Sequence, residues 1–217
     1  MAAVPMKSEY GPTLGRLLAP RWGAASRLVR ATIIAACVVV VAALIGLALT
    51  LENASYSHGG RLPFGFAYRG LYRVKADPGA FVKIEGRSSS GALKYSYEVY
   101  PLSLPPYSGS VWGELPRYAS GYIEALSRKE PGFQLSGEGK TKFTNEHTGY
   151  QVTYTTEVEG QEMYARNVMV LPEGAYPREG VVIAMLTAST ATAQVKTPAE
   201  VAETGVLLRP LKTFTFG

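Results

Sequence analysis

The chain is poor in the residues from which most catalytic and metal centres are built. Its 217 residues hold one cysteine, two histidines and one aspartate. Cys37 lies inside an apolar run, so no thiol remains outside that run for a disulfide or a thiolate metal site. A Ser/His/Asp triad would have to draw on His58 or His147 with Asp77 or a glutamate, and no Gly-x-Ser-x-Gly elbow presents a serine. His147 stands in the turn Asn145-Glu146-His147-Thr148-Gly149, where Glu146 and His147 offer too few ligands for a metal. Gly137-Glu138-Gly139-Lys140 lacks the spacing of a phosphate loop. These scarcities set the expectation of no cofactor, no metal and no enzymatic activity.

Glutamates are the one acidic group in supply. Glu138 with Glu146, or Glu157 with Glu159 and Glu162, are the pairs a glycosidase would need. The first pair flanks a weak strand, and the second group surrounds a hairpin turn, where charges commonly solvate the tip. An envelope hydrolase using paired glutamates is therefore the alternative to a binding role, and a cleft holding two carboxyls within ~5–10 Å would favour it.

Basic charge is scarce beyond residue 30. The net charge is +5, but Lys7, Arg16, Arg21, Arg27 and Arg30, against Glu9 alone, precede the apolar run. The remainder is nearly balanced and shows no basic patch, so nucleic acid is not an expected partner.

What the chain does have is the stretch Ala31–Leu51, ATIIAACVVVVAALIGLALTL, with no charge and no proline. As a helix it spans about 30 Å, the thickness of a bilayer's hydrocarbon core. Arg16, Arg21, Arg27 and Arg30 crowd its N-terminal side, and no basic residue follows until Arg61. The positive-inside rule places the N-terminus in the cytoplasm and the larger flank outside. A cleaved signal peptide would have a shorter n-region and a shorter apolar core. Ile34-Ala35-Ala36-Cys37 has the look of a lipobox, but fourteen residues of the run follow Cys37, where a lipidated cysteine opens polar sequence. Ala42 and Gly46 form a small-xxx-small pair that offers a seat for a second copy's helix, and hence for a homodimer. The expected organisation is a cytosolic basic tail over 1–30, a transmembrane helix over 31–51, a linker over 52–65 and an extracytoplasmic α+β domain over 66–217. The bilayer is then the first partner, through 31–51.

Within that domain, short runs alternate apolar and polar residues. Tyr72 and Val74, then Val82 and Ile84, mark strands either side of the turn Asp77-Pro78-Gly79. Leu93, Tyr95, Tyr97 and Val99 alternate with Lys94, Ser96 and Glu98, a half-buried strand with the latter set toward water. Leu115, Tyr118, Ala119, Tyr122, Ile123 and Leu126 form the apolar face of a helix over Glu114–Lys129, stopped by Pro131-Gly132. A weak strand over Lys140–Thr144 comes next. Tyr150–Val158 and Glu162–Leu171 then pair through Glu159-Gly160, and Val181–Thr187 is apolar enough to be a central strand. Thr197-Pro198-Ala199-Glu200 reads as a capping box opening a second helix to about Arg209, with a last short strand in Leu211–Phe216. The fold class expected is α+β: a mainly antiparallel sheet packed by two helices, preceded by one transmembrane helix.

Tyrosine is in excess, with fourteen in all and thirteen beyond residue 51. Most of them line a half-buried sheet by alternation. Tyr107, Trp112, Tyr118 and Tyr122, around the loop Pro101–Gly113, are the candidate binding surface for an envelope protein or a glycan.

The helix Glu114–Lys129 after a strand group, the hairpin from Gly149-Tyr150-Gln151-Val152-Thr153-Tyr154 through Tyr164-Ala165-Arg166-Asn167-Val168-Met169-Val170, and the ending Leu211-Lys212-Thr213-Phe214 together resemble the PsbP-like superfamily. It includes extrinsic photosystem proteins, a Ran-binding import factor and actinobacterial LpqN-type lipoproteins. The resemblance covers about Leu62–Gly217 and implies an α/β/α sandwich. Because the superfamily's members mostly act as binding or assembly modules, it implies no reaction. The expected function is a membrane-anchored extracytoplasmic binding or assembly module of a bacterial envelope.

Overall fold

The computed structural model describes residues 26–51, 54–142, 148–174 and 177–217. Arg16 and Arg21 of the basic tail, with Glu146 and His147, lie outside the described residues. The chain divides into two compact units, Met1–Leu51 and Glu52–Gly217.

The first unit holds one helix, α1 (Arg27–Leu51), four residues longer at its start than the apolar run. Ser26 Oγ accepts from the Val29 amide at 3.3 Å, so the cap falls before Arg27 rather than at the first uncharged residue. Arg27 and Arg30 therefore belong to the helix itself. Its described side chains, including Cys37 and Ala42, are exposed on every side. Thr32 hides its hydroxyl by donating to the Leu28 carbonyl at 3.0 Å. By length and composition α1 can cross a membrane.

The second unit is built on a seven-stranded antiparallel sheet in the order β3-β4-β5-β9-β8-β7-β6. Its strands are β3 (Tyr72–Val74), β4 (Val82–Arg87), β5 (Leu93–Ser103), β6 (Gln134–Lys142), β7 (Thr148–Val158), β8 (Gln161–Val170) and β9 (Glu179–Ala188). The apolar run chosen as a central strand is the middle one, β9. Glu159 and Gly160, both at positive φ (52° and 75°), make the two-residue turn that pairs Val158 with Gln161.

A smaller sheet, β1 (Ala54–His58), β2 (Phe64–Tyr68) and β10 (Thr215–Phe216), packs on one face of the large one. This corrects the expected linker over 52–65. The polar sequence of β1 gave no strand signal, and it is a strand because all five of its residues pair with β2. Phe64 and Phe66 of β2 are 2 % and 3 % exposed and join Tyr97, Val99, Val168, Ile183 and Phe214 in the main core.

The opposite face carries α2 (Val111–Lys129). Ser110 caps it by accepting from the Trp112 amide at 3.2 Å, and Leu115, Ala119 and Leu126 are its buried stripe. The expected second helix is corrected too. Only a 3₁₀ turn, Pro198–Glu200, and a short helix, α3 (Leu208–Lys212), form there. Ala202 and Gly205 take positive φ (63° and 74°), which ends a helical path, while Val201, Ala202, Leu207 and Leu211 are buried in the core. The capping hydroxyl of Thr197 makes no cap bond, and Glu200 instead accepts from the Lys196 amide at 2.6 Å. The architecture is thus one long helix, a central antiparallel sheet and a small sheet with short turns, rather than two helices about a sheet.

A candidate ligand cleft under the long helix

α2 approaches the sheet over β7 and β6, so the sheet toward β5 and β4 lies open beside its C-terminal half. The result is a cleft of about 570 Å³. Two alanines, Ala125 of α2 and Ala184 of β9, line it where larger side chains would fill it. A space of this size suits a small organic ligand.

The floor is a row across the sheet. Register pairs Lys83 of β4 with Glu98 of β5, Glu98 with Ala184 of β9, and Ala184 with Asn167 of β8. Glu98 and Asn167 therefore flank Ala184, about 10 Å apart at two strand spacings. Ser96 (1 % exposed) and Glu98 (6 %) are buried, which corrects the expectation that these two face water. Alternation assigned them to one face correctly but could not show what shelters that face.

Glu98 accepts three donors: Lys83 Nζ at 3.0 Å, Ser96 Oγ at 3.1 Å and the Tyr100 hydroxyl. Lys83 also meets Asp77 at 3.1 Å and Glu85 at 3.2 Å. Burial works against its charge, but the hydrogen bonds it donates to Glu98 and Asp77, with their negative charge, outweigh that and raise its pKa well above the usual lysine value. Arg87 reaches Glu85 at 3.0 Å and Glu159 at 3.1 Å, so four carboxylates share two cations along this side.

Asn167 (1 % exposed) donates from Nδ2 to the Tyr122 hydroxyl at 2.7 Å and the Tyr154 hydroxyl at 3.3 Å. Its Oδ1 has no partner, the only such buried side-chain oxygen or nitrogen among the described residues. An unpaired buried acceptor costs roughly 1–3 kcal/mol. Burial raises the phenol pKa values of Tyr122 and Tyr154, and the neighbouring charge of Glu98 adds to burial at Tyr100. All three are neutral donors at physiological pH.

The four aromatics expected to make one surface are divided. Tyr118 and Tyr122 line the cleft. Trp112 lies on the first turn of α2, about 15 Å along the axis from Tyr122 at helical rise, with Lys140 Nζ 5.0 Å from its ring centre. Tyr107 donates to the Pro177 carbonyl at 2.8 Å, a bond that ties down its loop. His58 packs on Phe64 and Phe81, ring centres 5.0 and 4.5 Å away, and Asp77 bonds Lys83, so neither holds the other. Glu138, Glu157, Glu159 and Glu162 are exposed. Among the described residues no three His, Cys, Asp or Glu side chains are placed to hold a metal.

Glu98, Asn167 and Lys83 were missed by sequence reasoning. Arg166-Asn167 did carry a signal, two adjacent polar residues within a strand whose neighbours are apolar. Glu98 carried none beyond its alternation.

No protein-family model matches the chain, and no curated protein sequence matches it. Among solved structures it is similar to LpqN of Mycobacterium tuberculosis, described as involved in cell envelope biogenesis, with TM-score 0.50 and 10% identity, covering 76% of this chain and 91% of that one. A protein of unknown function from Pseudomonas aeruginosa, PA94, aligns at TM-score 0.35 and 12% identity over 64% of this chain and 85% of that one. At such identities the likeness to LpqN is one of fold.

Proposed function

We propose that this protein is a membrane-tethered, extracytoplasmic binding module of a bacterial envelope, working without catalysis, in the PsbP-like superfamily. The tether is α1, with the N-terminus inside by the positive-inside rule. The observation that carries the binding role is Asn167, which lines the cleft with a buried Oδ1 that has no partner. A fold retains such a group at a cost unless a ligand pairs it. The envelope setting rests on the tether and on the fold shared with LpqN.

One observation favours the hydrolase alternative. Asp77 and Glu98 both contact Lys83 Nζ, at 3.1 and 3.0 Å, so they lie within about 6 Å of each other, near the spacing of a glycosidase pair. Against it, an ammonium sits between them, and three donors already occupy Glu98, which leaves it poorly placed to deliver a proton.

Native mass spectrometry of the full chain, purified from bacterial membranes in mild detergent, tests the binding role. The expected spectrum shows a bound small molecule that is lost in Asn167→Leu. A spectrum with no adduct, or with the same adduct in the variant, would count against it. Turnover of envelope glycan by the wild type, abolished in Glu98→Gln, would establish the alternative.

A further inference from the structure

We propose that the cleft selects a small organic cation, a compact molecule bearing a protonated amine. The inference rests on the binding reading above and adds the chemistry of the ligand.

Three observations converge on an ammonium. The first is a demand for a donor: Asn167 lines the cleft, and its buried Oδ1 accepts nothing. The second is charge. The charged residues lining the cleft are Asp77, Glu98 and Glu130 against Lys83 and Lys129, and Lys83 is also shared with Glu85, so the balance is negative, and Glu98 stands at the sheet surface sheltered from water. A positive ligand is drawn to such a site and an anionic one repelled. The third is the position of the space. Ala184 lies between Glu98 and Asn167 in one row of the sheet, so a cation seated over its methyl group has the carboxylate on one side and the amide carbonyl on the other.

The walls fit the same guest. Tyr118 and Tyr122 line the cleft, and a cation against a tyrosine face gains further attraction. Leu126 and Leu186 supply apolar surface for the carbon frame. Lys83 does not take the place itself, because its ammonium is committed to three carboxylates within 3.2 Å.

The test uses the full chain in nanodiscs of a zwitterionic phosphatidylcholine, where no anionic lipid competes for cations. Binding is measured by calorimetry for three matched pairs: glucosamine and glucose, 2-phenylethylamine and 2-phenylethanol, cyclohexylamine and cyclohexanol. The expected result is at least one pair in which the ammonium binds about tenfold or more tightly than its neutral partner, the scale of one charge-assisted hydrogen bond. That preference should vanish in Glu98→Gln and grow about tenfold in Asn167→Asp, which adds a carboxylate without changing size. Retention of the wild-type melting profile qualifies each variant, and either one alone decides the outcome. Equal binding of both members in every pair that binds overturns the cation preference while leaving a ligand cleft in place. Absence of binding by all six probes overturns it as well, and the adduct spectrum described above then decides the binding role separately.

Discussion

The two faces of the seven-stranded sheet are made by the same strands and put to different use. Toward the small sheet, Tyr97, Val99, Val168, Ile183 and Met185 are fully buried and meet Phe64, Phe66 and Phe214. A buried ion there, Arg166 (2 % exposed), donates to Gln151 at 2.9 Å, Thr141 at 2.9 Å, the Val201 carbonyl at 3.0 Å and Glu203. Toward α2 the same strands present Glu98, Ala184 and Asn167 in a row, with Ser96 beside it, a space nearby and one acceptor unpaired. A face packed to full density maximises stability. A face that gives up packing and leaves a polar group unpaired gives up some of it, and such sites are where function is expected.

The largest effect should come from the packed face. Phe214→Ala removes a side chain with 0 % exposure, and urea titration of the full chain in micelles should show a loss of about 4 kcal/mol. A loss under about 1 kcal/mol would mean that the small sheet is not part of the core.

Arg166→Met comes next. It leaves the Val201 carbonyl and the neighbouring amide and hydroxyl without their donor, so the expected loss is about 3 kcal/mol. The same titration measures it, and an unchanged midpoint would show that the segment over Ala202 needs no anchor.

Alkali should act on both faces, on the packed one through the buried Tyr97 and on the cleft face through two further phenols. Burial raises the phenols of Tyr122 and Tyr154 above their ordinary 10.0. As pH climbs past about 10, the unfolded chain releases protons that the folded chain keeps, so stability must fall. Lys83 acts in the same direction: its contribution is complete below 10.5 and is lost as pH rises further. The slope of stability against pH between 10 and 11 should therefore be steep in the wild type and shallower in Tyr122→Phe with Tyr154→Phe. Equal slopes would contradict the burial of these phenols.

The smallest effect belongs to neither face. Glu124 and Arg128 pair one turn apart on the outside of α2 with most of both side chains in water, so Glu124→Gln should cost under about 0.5 kcal/mol.

Much of this contrast was legible in the chain. Period-two runs placed β5 and β7, the turn at Glu159-Gly160 led into β8, and an apolar run placed β9. The four-and-three spacing from Leu115 to Leu126 placed α2, and its Ser110 cap extends it only three residues beyond the expected start. What stayed hidden depends on distant parts of the chain. Glu98 is polar by identity and buried only because Lys83, Tyr100 and α2 surround it. The capping-box pattern at Thr197 was outweighed by burial of Val201 and Ala202, which turns the backbone to positive φ. β1 is a strand only through its partner. The aromatics Trp112 and Tyr122 are near in sequence yet are carried to separate places by ten residues of helix.

The most direct measurement pairs two tryptophan substitutions, Ala184→Trp in the cleft and Val168→Trp on the packed face, each followed by urea titration and native mass spectrometry of the full chain. The open cleft predicts that Ala184→Trp stays within about 1 kcal/mol of wild type and loses the bound small molecule, whereas Val168→Trp costs about 3 kcal/mol or more. Equal destabilisation by both, or a bound molecule retained in Ala184→Trp, would contradict a ligand site under the long helix.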